Sequence, residues 1–158
     1  MMSASLADLC HTDSAKRLEA IEALGEEDEA EIDRHARSLV GLIQDADEEV
    51  RLMAVMLLDR CSIGALANHV SDLVAMLVNS SDEDVRWGAA AVLKRLDAAT
   101  LTDGAWAILV RAQADPSAKV RSELIKIATL KFSSVDHAEI IEAHRGEAMA
   151  LLQQLTNG

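Results

Sequence analysis

Aromatic side chains are nearly missing from this 158-residue chain: two Trp, one Phe and no Tyr, 2% of all residues. Proline occurs once, cysteine twice and glycine seven times. Each shortage excludes something. Few Pro and Gly leave little to interrupt helices, so breakers fall between segments. Cys10 and Cys61 make no metal-binding spacing. A single bridge between them stays open beside two free thiols in a reducing compartment, which is the reading the count favours. No stretch reaches the roughly 18 apolar residues of a membrane span, and no basic region followed by an apolar run opens the chain. Membrane insertion is therefore not expected, and the cytoplasm or another reducing intracellular compartment is. Nothing alternates apolar and polar residues over a useful length, which removes the strand signal.

What remains is half hydrophobic, carried by Ala, Leu, Val and Met, with a formal charge of -12 and a pI near 4.7. At this length one domain with a sizeable core is expected. The charge is uneven. Residues 1–50 hold 14 acidic and 4 basic side chains, and residues 51–158 hold 13 and 11. Much of the excess lies in Glu26-Glu27-Asp28-Glu29-Ala30-Glu31. Such a run suits a solvated loop entering a helix start, where negative charge meets the positive end of the dipole. Its sharper reading is a docking patch for a basic protein partner.

A short phrase returns at a fixed period. Asp47-Glu48-Glu49-Val50-Arg51, Asp82-Glu83-Asp84-Val85-Arg86 and Ser117-Ala118-Lys119-Val120-Arg121 follow one another at 35 residues. A weaker copy runs from Asp13 to Leu24, with Arg17, Ala20 and Leu24 matching Arg51, Ala54 and Leu58. A period of this size marks a stack of helical hairpins. Second helices are predicted near 13–24, 47–60, 82–96 and 117–131. First helices carry the stripes Leu39-Val40-Leu42-Ile43, Val70-Leu73-Val74-Leu77 and Trp106-Leu109-Val110. Residues 3–10 are too short for a full first helix. A last helix over 134–156 is expected to cap the open end. Asp47, Asp82 and Ser117 stand where a side-chain oxygen accepts from first-turn N–H groups. Gly25 and Gly64 fall between helices, where left-handed backbone is useful.

The pattern Asp-x-x-x-x-Val-Arg-x-x-Ala, at Asp45, Val50, Arg51 and Ala54, resembles the HEAT repeat. It is close to the HEAT-like type of phycobilisome lyase–related proteins. Asp115, Val120 and Arg121 keep the pattern with Leu124 for Ala, and Val85, Arg86 and Ala89 keep it with Ser80 at the Asp position, where Asp82 or Asn79 is the alternative substitute. The resemblance covers roughly residues 10–132. It implies an all-α, right-handed superhelical solenoid (armadillo-like) of about four hairpins, 3–25, 30–60, 66–96 and 101–132, plus the capping helix. It also implies an adaptor, scaffold or assembly factor. In that family the recurring Arg (here Arg17, Arg51, Arg86 and Arg121) is usually structural, pairing with an Asp such as Asp45 or Asp115 or with a carbonyl.

No catalytic constellation emerges. His11, His35, His69, His137 and His144 are scattered, and His137 and His144 stand two turns apart, ~10 Å by helix rise, too far to share one metal. No phosphate loop, nucleophile elbow or paired-cysteine motif occurs. No metal, cofactor or enzymatic activity is expected. Nucleic acid is disfavoured: a phosphate track needs clustered positive charge, and HEAT-like glycosylases need a basic groove with aromatics. The alternative class is a tetrapyrrole (bilin) lyase-like protein or a subunit of one.

Helical geometry, at 100° per residue, locates an exposed stripe opposite Val50, Ala54 and Leu57. It holds Leu52, Met56 and Asp59, then Trp87, Ala91 and Lys94, then Ser122, Lys126 and Thr129, with Leu18 and Glu22 in the first copy. Leu52, Met56 and Trp87 with a rim of Asp59, Lys94 and Lys126 read as a concave partner-binding surface. The competing reading packs these side chains between repeats. Trp106 is expected in the core. Self-association remains open.

Overall fold

A computed structural model describes residues 6–132, and every regular element in that span is helical. The expected capping helix at 134–156 lies outside the described residues. The chain divides into two compact units between His69 and Val70.

The first unit holds α1 (Leu6–Leu9), α2 (Ser14–Gly25), α3 (Glu29–Arg34), α4 (Ala36–Leu42), α5 (Glu48–Leu58) and α6 (Ile63–Ala67). Here α1 pairs with α2, α4 pairs with α5, α1 lies against α4, and α2 lies against α5. That is a pair of hairpins stacked first helix on first, second on second. Leu9, Ile21, Leu24, Leu39, Ile43, Val50 and Leu58 close its core. Their recurrence every three or four residues gives each helix one apolar stripe to bury.

The second unit repeats the arrangement with α7 (Val70–Asn79), α8 (Glu83–Leu93), α9 (Ala105–Ala114) and α10 (Ala118–Lys131), and a single 3-10 turn, Thr102–Gly104, leads into α9. α7 pairs with α8, α9 with α10, α7 with α9 and α8 with α10. Leu73, Leu77, Leu93, Ile108, Leu124 and Phe132 are buried.

Each second helix starts from the same backbone. Asp13, Asp47, Asp82 and Ser117 have φ between -87° and -81° and ψ between 122° and 125°. Two cap as expected, Asp47 accepting from Glu49 N and Val50 N and Asp82 from Asp84 N, and Asp13 caps too, accepting from Ala15 N. Ser117 makes no side-chain cap bond. Its own N–H donates to Asp115 Oδ1 at 2.9 Å, as that of Asp47 does to Asp45. The first-helix regions are broken rather than continuous, at His35 between α3 and α4 and by the 3-10 turn before α9.

Two expectations are corrected here. No described glycine has positive φ; Gly25 ends α2 and Gly64 lies inside α6. The buried stripe of α9 is Ala105, Ile108, Leu109 and Ala112, so Trp106 is only half-buried and Val110 is exposed. A Cβ at Gly104, just before α9, would lie 2.6 Å from Val74 Cγ2, so the chain meets α7 there through backbone.

Candidate functional site

The recurring arginines form a ladder with one geometry. In every repeat the guanidinium Nη1 donates to the two carbonyls that precede its own helix: Arg17 to His11 and Thr12, Arg51 to Asp45 and Ala46, Arg86 to Ser80 and Ser81, Arg121 to Asp115 and Pro116. Arg17 and Arg86 also grip the following repeat. Arg17 donates through Nε and Nη2 to the two oxygens of Asp45, both at 2.7 Å. Arg86 does the same to Asp115 at 2.8 and 3.0 Å. This fork-on-carboxylate geometry is available to Arg and not to Lys.

The residue two before each cap completes the motif. Asp45 and Asp115 accept the N–H of Asp47 and Ser117, and His11 Nδ1 and Ser80 Oγ accept those of Asp13 and Asp82. Ser80, at the Asp position, thus keeps the turn bond. Asp115 lies in a balance of opposing effects. Burial pushes its carboxyl up, but the Arg86 hydrogen bonds, the Ser117 N–H and the charges of Arg86 and Arg111 prevail and hold it below its ordinary 3.8.

The exposed stripe differs in chemistry between the two units. In the first, Leu52 and Met56 stand four apart on α5, 48% and 59% exposed, with Asp59 exposed a turn further on. Opposite-phase residues Val50, Ala54 and Leu57 are buried. On the neighbouring α2, Leu18 is half-buried and Glu22 exposed. Residues 6–69 carry 15 acidic and 6 basic side chains, so the apolar pair sits in strongly negative surroundings.

In the second unit Trp87 and Ala91 on α8 are half-buried. Lys119 Nζ lies 4.7 Å from the Trp87 ring centroid and also pairs with Asp84 at 2.6 Å. The two stripe lysines are drawn to one carboxylate: Lys94 and Lys126 donate to the two oxygens of Glu123 at 2.7 and 2.6 Å. Burial raises the Glu123 carboxyl, yet Lys126 and Lys94 together hold it below its ordinary value. Ser122 is exposed and Thr129 half-buried. Residues 70–132 carry 8 acidic and 8 basic side chains, so this face is charge-balanced. Neither Glu123 nor Lys119 stands out in the sequence as a stripe residue. Only the 35-residue separation of Asp84 and Lys119, equal to the repeat, hints at a pairing.

A family model described as HEAT repeats matches residues 4–94 and 36–129. The chain belongs to the HEAT-repeat family. No curated protein and no solved structure matches it. HEAT membership accounts for the all-helical architecture and for the hairpin pairing within each unit. It also fits the arginine ladder as a structural device, since Arg17 and Arg86 each make four hydrogen bonds inside the repeats.

Among the described residues no three His, Cys, Asp or Glu side chains are grouped to hold a metal ion, and no helix is long and apolar enough to cross a membrane. Cys10 and Cys61 are free thiols, the first exposed and the second buried.

Proposed function

We propose that this HEAT-repeat chain is a non-catalytic protein-interaction scaffold, adaptor or assembly factor whose principal contact lies on the outer face of α5. One observation carries the reading: Leu52 and Met56 project into water from a helix whose other side is fully packed. Exposing two large apolar side chains side by side costs solvation unless something covers them, and unbranched Met adapts to varied partners. The acidic setting, 15 acidic against 6 basic side chains over residues 6–69, favours a partner helix or peptide with an apolar stripe and basic flanks. A second copy of this chain is a less apt occupant, because its own α5 face carries the same charge. Two free thiols are in keeping with work in a reducing compartment such as the cytoplasm.

The test is comparative affinity capture with quantitative mass spectrometry at low and high salt, using wild type and the Leu52→Glu, Met56→Glu double variant. Thermal melts first establish that the variant folds. Loss of a defined, salt-sensitive set of proteins from the variant supports the reading. An unchanged set removes the α5 face, and no captured protein with either bait removes the scaffold.

A further inference from the structure

A shallow groove of about 720 Å³, largely open to solvent, lies between the end of α1 and the flank of α4. It does not involve the outer face of α5. Its lining includes the buried Leu9 and Leu42 together with Arg37, Ser38, Gly41 and His11.

Its polar groups are almost all donors. Arg37 is exposed and makes no hydrogen bond or ion pair among the described residues, although carboxylates abound in this unit. The His11 imidazole already accepts at Nδ1 from Asp13 N, which places the neutral ring's proton on Nε2 and leaves that nitrogen a donor. The carboxylate that lines the groove, Asp45, is largely engaged. Oδ1 accepts from Arg17 Nη2 and Asp47 N, and Oδ2 accepts from Arg17 Nε. A cationic ligand would find only the remaining lone pair of Asp45 and the Ser38 hydroxyl, while an oxyanion meets a guanidinium whose fork matches a carboxylate. The charged side chains of the lining, Arg17 and Arg37 against Asp45, leave it a local charge of +1, which suits a monoanion.

Gly41 supplies the independent observation. It lies inside α4 with ordinary helical backbone, and a Cβ there would touch nothing within 4 Å. Neither conformation nor packing requires glycine, and alanine would favour the helix. What glycine provides is a bare strip of helix one turn from Arg37, against which an extended chain can lie.

We propose that this groove captures the C-terminal carboxylate of a peptide that ends in an apolar residue. Arg37 grips the carboxylate, the His11 and Ser38 donors flank it, the terminal side chain rests on Leu9 and Leu42, and the preceding backbone runs out past Gly41. A groove largely open to solvent suits a chain end, which must leave it.

The experiment uses the full-length protein and amide-resolved NMR titration with a blocked pentapeptide ending in leucine, against its C-terminal amide and against hexanoate. The free-acid peptide is expected to shift the amides of residues 9–11 and 37–42. Arg37→Gln is expected to weaken it at least tenfold, and the amide to bind at least tenfold more weakly. Gly41→Ala, which the free protein accommodates, is expected to raise the melting temperature while weakening the peptide at least threefold. Equal binding of acid and amide, or unchanged binding by either variant, overturns the proposal. Hexanoate binding as tightly as the peptide overturns the chain-end reading in favour of a small free acid.

Discussion

Arg86 and Asp115, 29 residues apart, share two parallel hydrogen bonds with their side chains 5% and 0% exposed. The contact fastens α8 to the turn before α10. Arg17 and Asp45 repeat it in the first unit, nearer to solvent. Removing one partner of a buried pair strands the other charge, so the loss exceeds what the pair itself contributes. Asp115→Ala is expected to destabilise by about 3–5 kcal/mol, read as a shift of the urea midpoint. Arg17→Ala, at the more accessible rung, should cost less.

The same rung sets an acid limit. The Asp115 carboxyl is depressed below its ordinary 3.8 once Arg86, Ser117 and Arg111 outweigh its burial. A group depressed on folding stabilises fully above its unfolded value and loses that contribution as pH falls through the folded one. Chemical denaturation of wild type should show stability dropping steadily below pH 4. In Asp115→Asn that part of the slope should disappear, from a lower starting stability at pH 7. An unchanged acid slope in the variant would mean that other carboxylates govern acid unfolding.

Much of this was legible in residue spacing, because Val50, Val85 and Val120 recur at one period and all three are buried. The caps at Asp47 and Asp82 were legible for the same reason: a short acceptor just before an apolar run has one local use. Contacts set by three dimensions were not. Ser117 resembles a cap in sequence, but its hydroxyl makes no cap bond. Gly104 meets Val74, 30 residues earlier, through backbone. Of the candidate stripe, the exposure of Leu52 and Met56 followed from helical geometry on α5 alone, while the partial cover of Trp87 depends on Lys119 from another helix.

Gly104 tests that close approach directly. A methyl group there would fall 2.6 Å from Val74 Cγ2, and Val is stiff about χ1 and cannot swing clear. Gly104→Ala is expected to destabilise by about 1–3 kcal/mol, although alanine favours helix. The Gly104→Ala, Val74→Ala double variant should recover part of that loss in a thermal melt. Additive losses would place the cost elsewhere.

Asp33 belongs to no repeated phrase, yet it binds the start of α6. Its two oxygens accept from Ser62 N at 2.8 Å and Ser62 Oγ at 2.6 Å, while the same hydroxyl accepts from Ala65 N. Asp33→Ala therefore frees a backbone N–H and unpins the capping hydroxyl. The expected cost is about 1–2 kcal/mol. Hydrogen exchange should show it locally, with the Ser62 and Ala65 amides losing protection before the amides of α5.

Lys119 holds Trp87 in two ways, through its charge over the ring at 4.7 Å and through its pairing with Asp84. Both contacts are partly solvated, so Lys119→Met should cost only about 0.5–1 kcal/mol. The sharper readout is optical. In a Trp106→Phe background Trp87 is the sole tryptophan, and removing the ammonium should shift its emission and raise its accessibility to acrylamide. If Trp87 takes part in partner binding, this uncovered form should bind at least as well as wild type, whereas Trp87→Glu should bind worse. Equal binding by all three would confine the contact to Leu52 and Met56, and the second unit would then contribute structure rather than recognition.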